Sequence, residues 1–171
     1  ICLSDPLINE AFTYYEREIL PFKNDDMINA KAMPGAHAAL QAVQDAGLRC
    51  ALFTNPSFPQ GAIECRMGWG DLADAPFELV THMGNATRCK PDATYYLEQL
   101  QVMGLEPHEV LMVGNDPKRD FPSPDCGIQT AYVGQGKPSR ATWRGTMEDF
   151  ARNFNAVVEA FYEHQVADEL S

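Results

Sequence analysis

Apolar residues recur along this chain with two periods. Over residues 8–20, Ile8, Phe12, Tyr15 and Ile19 fall three or four apart, the spacing of one helical face, and Pro21 marks the end of that helix. A polar, irregular stretch follows over 21–33. From Pro34 the pattern becomes regular. Pro34-Gly35 opens a helix reaching about Ala46, with Gly47 as its stop. Residues 48–53 form an apolar run of strand length that ends at Thr54-Asn55. A short helix is expected over 60–67 and a second strand over 77–80. Pro91 opens a helix that closes at Gly104. A third strand, 110–113, ends in Gly114-Asn115-Asp116. Pro122 and Pro124 limit the next segment to a brief helix, and Gly127 turns the chain into a fourth strand, 128–133. Thr146 and Asp149 have capping-box spacing ahead of a long final helix, 147–165, whose stripe of Phe150, Phe154, Val157, Val158 and Phe161 faces the core.

Strands alternating with helices predict an α/β fold, a Rossmann-like open parallel sheet with helices on both faces and right-handed crossovers. The runs at 48–53 and 110–113 are short and mainly apolar, as expected of strands covered on both faces. The leading helix does not fit this alternation. Residues 34–171 are expected to form the α/β core, with 1–33 a separate unit.

Composition narrows the function classes. The chain has 171 residues, 45% of them apolar, enough for one domain with an appendage. A net charge of −11 argues against nucleic-acid binding, which needs a basic footprint. It leaves room for a small phosphorylated substrate, because one lysine and a metal ion reverse the sign inside a cleft. No run approaches the ~20 apolar residues of a membrane span. Cys2, Cys50, Cys65, Cys89 and Cys126 form no C-x-x-C pair, which points to reduced thiols and a cytoplasmic setting rather than a disulfide framework or a zinc site. His37, His82, His108 and His164 show no ligand spacing. Gly134, Gly136 and Lys137 lack the G-x-x-x-x-G-K pattern and read as a loop. Trp69 and Trp143 read as packing residues.

The candidate chemistry lies at strand ends. In an open α/β sheet, ligands sit beyond the carboxyl ends of the strands. Thr54-Asn55 and Asn115-Asp116 each follow a strand, and Lys90 stands just before a helix. A hydroxyl, a carboxylate and an ammonium gathered there suit a phosphate beside a divalent metal.

Three segments, in order, resemble signatures of the haloacid dehalogenase-like superfamily. Ala51-Leu52-Phe53-Thr54-Asn55 looks like its second, Cys89-Lys90-Pro91-Asp92 like its third, and Val110 through Asp120 like its fourth; Cys126-Gly127-Ile128-Gln129-Thr130 matches the turn and strand that come next. The resemblance covers about residues 34–133 and implies that 1–33 are part of a helical cap or a cap-to-core connection. It implies a phosphohydrolase that cleaves a small phosphorylated metabolite through an aspartyl-phosphate. Thr54, Asn55 and Lys90 would bind the phosphoryl group, with Thr54, Lys90 and Asp120 in the catalytic set. Mg²⁺ would be held by Asp116, Asn115 and Asp120, either Asp116 or Asn115 taking the first position of the acidic loop. Asp120 would ligate the metal directly or orient Lys90 and metal-bound water.

The superfamily's first signature, a strand followed by D-x-D, has no match. Asp25-Asp26 follows no apolar strand, and Ile1 through Asp5 lacks the second aspartate. The core is therefore expected to lack its first strand, the nucleophilic aspartate lying upstream and this fragment being inactive by itself. A naturally degenerate homologue is the rival explanation. The alternative functions are a non-catalytic ligand- or partner-binding relative, and a phosphomutase or dehalogenase of the same superfamily.

Overall fold

The computed structural model describes residues 5–24, 28–138 and 140–169. Cys2 and Asp25-Asp26 lie outside them.

Helix α1, Pro6–Tyr14, begins where Asp5 accepts from the Leu7 amide and Pro6 occupies the first turn. The periodicity predicts one helix over 8–20. The chain instead passes into a π-helical turn, Tyr15–Ile19, and a 3-10 turn, Leu20–Lys23. Pro21 has no N–H to continue the α-ladder, and the helical form changes ahead of it. This arm rests on α3, Gln60–Trp69, where the Trp69 indole donates to the Pro21 carbonyl at 3.3 Å. Glu16 packs over Gly61, and burial pushes its carboxyl upward. Leu7, Phe12, Tyr14 and Phe22 remain exposed.

Helix α2, Ala36–Asp45, starts from Gly35 at φ +86°. A Cβ on Gly35 would stand 2.6 Å from the Glu148 backbone nitrogen, so glycine lets this turn sit directly on the start of α5, Met147–Arg152. Strand β1, Ala51–Leu52, pairs in parallel with β2, Leu79–Val80. Helix α4, Ala93–Met103, ends at Gly104 in the left-handed region. Strands β3, Leu111–Gly114, β4, Gln129–Val133, and β5, Trp143–Gly145, form a second parallel sheet in that order.

Two elements depart from the sequence reading. Residues 134–138 are loop and Trp143 packs on Phe150, both as read, but Trp143–Gly145, for which no strand is expected, joins the sheet beside β4. The Gly134–Gly136 turn folds over Tyr132, whose hydroxyl accepts from the Gly136 amide at 3.2 Å. The expected single final helix is divided into α5 and α6, Phe154–Glu169. Asn153 interrupts it, its side-chain amide donating to the Asp149 carbonyl at 2.7 Å. The capping box at Thr146 and Asp149 is present as expected.

Alternation along β3 builds two core layers. Leu111 and Val113 join Ala131 and Val133 against Ala39, Phe150, Phe154 and Val157, from α2, α5 and α6. Val110 and Met112 join Phe53 against Tyr95, Tyr96 and Leu100 of α4. Helices thus cover both faces of parallel strands, as the pattern predicts. Leu100, 2% exposed, contributes about 1.5–3 kcal/mol by its burial.

The two sheets do not join. Among the described residues, β1 and β3 each have one edge without a strand partner. Between them runs a cavity of about 920 Å³, walled by β1, β3 and the inner faces of α5 and α6, with Lys90, Asn115 and Asp120 at one end.

Candidate functional site

Lys90 is the centre of the polar cluster at the carboxyl ends of β1 and β3. Its Nζ lies 2.6 Å from Asp120 Oδ1. Its backbone amide donates to Asn55 Oδ1 at 2.9 Å. One residue therefore ties the loop after β1 to the loop after β3. The Lys90-Pro91 peptide is cis, and Asp92 caps α4 by accepting from the Thr94 amide at 2.9 Å.

Asp120 is held on several sides. Its Oδ2 accepts from the backbone amides of Asn115, at 3.1 Å, and Asp116, at 2.9 Å. Its own amide donates to the Asp116 carbonyl at 2.7 Å. Gly114 permits this closeness, since a Cβ there would meet Asp120 Cβ at 2.5 Å. The ammonium and carboxylate are 11% and 13% exposed, so their charges act in a medium less screening than water.

Asp116 adopts a different posture. Its Oδ1 accepts from the amides of Lys118 and Arg119, and its Oδ2 pairs with the Arg119 guanidinium at 2.9 Å. Its side chain is 37% exposed. The sequence reading puts Asp116 or Asn115 first in the acidic loop and gives Asp120 either a metal-ligating role or the role of orienting Lys90. The ion pair is made by Asp120, while Asp116 contributes a backbone amide to it. The short side chain of Asp116 is drawn into an Asx turn by its own loop, the competing role that Asn-Asp-Pro invites.

The Thr54 hydroxyl donates to the Thr81 carbonyl at 2.7 Å. The Thr54 amide donates to Thr81 Oγ1, also at 2.7 Å. Asn55 is the residue of that loop which reaches Lys90. Lys90, Asp120, Asn55 and the Asn115 backbone thus come together, with Thr54 one residue away and Asp116 facing outward. Sequence reasoning did not single out Thr81, Tyr95 or Tyr96, all fully buried beneath the loops. An aromatic pair in the first turn of a helix reads as core, and no spacing rule marks a buried hydroxyl.

The side chains that meet Lys90, those of Asn55 and Asp120, present oxygen atoms to it. Among the described residues, no three His, Cys, Asp or Glu side chains gather into a metal cluster. No helix there is long and apolar enough to cross a membrane.

Known proteins resemble this chain in sequence and fold. A phosphoglycolate phosphatase of Rhodospirillum rubrum is 28% identical over 120 residues, which are 70% of this chain and 48% of that protein. The chain spans about half the length of that curated relative. The crystal structure of a HAD phosphatase from Thermococcus onnurineus superposes with a TM-score of 0.60 at 20% identity, covering 71% of this chain and 57% of its own. A β-phosphoglucomutase from Clostridium difficile gives 0.63 at 16% identity, over 78% and 58%. At these identities the structural likeness is one of fold. The family profile described as haloacid dehalogenase-like hydrolase matches residues 5–124, well over half of the sequence, and this chain belongs to that family.

Proposed function

We propose that these residues are most of the catalytic core of a Mg²⁺-dependent phosphohydrolase acting on a small phosphorylated metabolite. Its nucleophilic aspartate, on this reading, belongs to a strand outside the 171 residues and forms an aspartyl-phosphate that water cleaves. The observation that carries the proposal is the cavity between β1 and β3. Two strand edges lacking partners face it, and its polar end holds Lys90 and Asp120. A parallel strand in that space would satisfy both edges and deliver its last residues to the Lys90 ammonium. The R. rubrum phosphoglycolate phosphatase supports a phosphorylated substrate.

In this proposal Lys90 neutralises the transferring phosphoryl group and orients the nucleophile. Asn55 stands beside Lys90 to contact the phosphoryl oxygens. Thr54 adds its hydroxyl on turning from the Thr81 carbonyl. Asp120 fixes the ammonium. Asp116, Asn115 and Asp120 offer only oxygen, the donor type Mg²⁺ takes with water filling its remaining positions. The cation needs one or two protein carboxylates, which this loop and an added strand can supply. When bound, it supplies positive charge to the phosphoryl oxygens. The arm at residues 5–24, with its exposed apolar side chains, fits a portion of a helical cap. The four described cysteines are free, which fits a cytoplasmic setting.

The test is turnover of an aryl phosphate by the longer protein. Lys90→Ala and Asp120→Asn are each expected to lower it by at least about a hundredfold, and the 171-residue chain alone to show none. Full activity in either variant, or turnover by the isolated chain, overturns the assignment. A longer protein that carries D-x-D yet shows no turnover supports instead a non-catalytic binding relative.

A further inference from the structure

Below the polar cluster, the first turn of α4 carries two adjacent tyrosines, Tyr95 and Tyr96, both 0% exposed. Neighbouring residues on a helix project about 100° apart, so the two phenols reach different parts of the molecule. The Tyr95 hydroxyl donates to the Thr54 carbonyl at 2.6 Å. It also shares a 2.8 Å bond with the Thr81 hydroxyl, which in turn accepts from the Thr54 amide. The Tyr96 hydroxyl donates to the Asp120 carbonyl. Their rings meet edge to face, with centroids 5.1 Å apart and planes at 89°, and both lean on Phe53. Burial pushes both phenols well above the usual tyrosine range, so both stay protonated and able to donate.

We infer that Tyr95 and Tyr96 are paired positioning residues, which set the loop after β1 and the loop after β3 at a common height relative to Lys90. Lys90 precedes the same helix by only a few residues. One turn of chain therefore supplies the ammonium and grips the backbone of both loops that meet it. Neither tyrosine touches the cavity that the proposed strand would fill. Each acts through a carbonyl, Tyr95 through Thr54 and Tyr96 through Asp120. A phenylalanine at either position keeps the packed ring and removes only the hydrogen bond. In Tyr96→Phe the Asp120 carbonyl loses this donor, and in Tyr95→Phe the Thr54 carbonyl keeps only the Thr81 hydroxyl, at 3.1 Å, so each loop is held less closely. The catalytic weight of this arrangement rests on the proposed phosphohydrolase reading; the arrangement of the loops does not.

Two readouts separate the two. In amide NMR spectra of the folded 171-residue chain, Tyr96→Phe is expected to shift the Asn115 and Asp116 resonances, whose amides bond to Asp120, and to leave Thr54 in place. Tyr95→Phe is expected to shift Thr54 and to leave Asn115 and Asp116. Leu97→Ser, on the exposed side of the same helix, moves none of them. In the longer protein, each Phe variant lowers kcat for an aryl phosphate about tenfold with little change in KM, as misplacement by a fraction of an ångström would. The double variant loses about a hundredfold, because the two act on separate loops. If one variant does not fold, the other still tests its own loop. Unmoved Asn115 and Asp116 amides in Tyr96→Phe, or an unmoved Thr54 amide in Tyr95→Phe, overturn the inference. Shifted amides with full kcat overturn its catalytic part alone. A longer parent protein without turnover defeats the phosphohydrolase reading and leaves the amide test standing.

Discussion

Lys90 Nζ and Asp120 Oδ1 meet at 2.6 Å across two loops that are 30 residues apart in sequence. Both side chains are almost buried, so neither can exchange its partner freely for water. Removing one charge strands the other, and the cost exceeds the net worth of the intact pair. Lys90→Met and Asp120→Leu are each expected to lower stability by about 1–3 kcal/mol in urea denaturation. The double variant should lose clearly less than the sum. Strict additivity in that cycle would mean that the pair carries no coupling.

Gly114 fixes how close Asp120 can come to β3. A Cβ placed there would overlap Asp120 Cβ at 2.5 Å, and neither atom belongs to a flexible tip. Gly114→Ala is expected to cost about 1–3 kcal/mol, as overpacking does. It should also cut turnover in the longer protein to a tenth or less. A variant with native stability and native turnover would show that the loop relaxes without consequence.

Gly35 and Gly47 separate strain from contact. Both have positive φ, +86° and +68°, but only at Gly35 would an added methyl stand within 3 Å of backbone atoms, those of Met147 and Glu148. Alanine at Gly47 is expected to cost about 1 kcal/mol from backbone strain alone. Alanine at Gly35 should cost more, because it also pushes α2 off the start of α5. Thermal unfolding of the two variants side by side measures the difference, and equal midpoints would remove the contact from the account.

Asp149 links stability to acid. The Thr146 hydroxyl and amide, then Arg152, hold its carboxyl below the ordinary value. A depressed carboxyl contributes stability that is fully present above the unfolded-state value, about 3.9, and is lost as pH falls through the folded-state value. Asp149→Asn is therefore expected to flatten the decline in stability below about pH 4 relative to the parent. Parallel curves for the two proteins would show that the capping box does not report on this titration.

Cys50 reports on the space between the sheets. Its thiol borders the cavity, and burial pushes it up from the usual cysteine value. Cys89 is exposed. An alkylating reagent at mildly alkaline pH should modify Cys89 first and Cys50 slowly. In the longer protein, a strand occupying the cavity should slow Cys50 further. Equal Cys50 rates in both proteins, followed by mass spectrometry, would count against strand insertion.

How much of the fold is legible in the residues alone depends on the range of the forces involved. The Thr146-x-x-Asp149 capping box is local, and its spacing is sufficient to find it. So is the strand-length apolar run Val110, Leu111, Met112 and Val113, whose residues alternate between two helical layers. The short strand Trp143–Gly145 is not legible, because three residues bounded by threonines show no period and are held by β4 alone. The Asn153 break hides within a stripe of Phe150, Phe154 and Val157 that stays in phase across it. At the site, motif order brings Lys90 and Asn55 together correctly. Asp120 pairs with Lys90, one of the two roles open to it, while the carboxylate of Asp116 is captured by its own loop. That competition among hydrogen bonds has no signature in residue spacing.

The contacts that build the polar cluster have a kinetic corollary. Asn55 and Lys90 are 35 residues apart, Lys90 and Asp120 30, and Tyr95 and Thr54 41. Closing such long loops is slow and brings little reward until the elements between them are already packed. The cluster should therefore form in the late, cooperative stage of refolding, after the helices and the β3–β4 pair. A proteolytic piece that retains any two of its three loops would inherit none of its geometry.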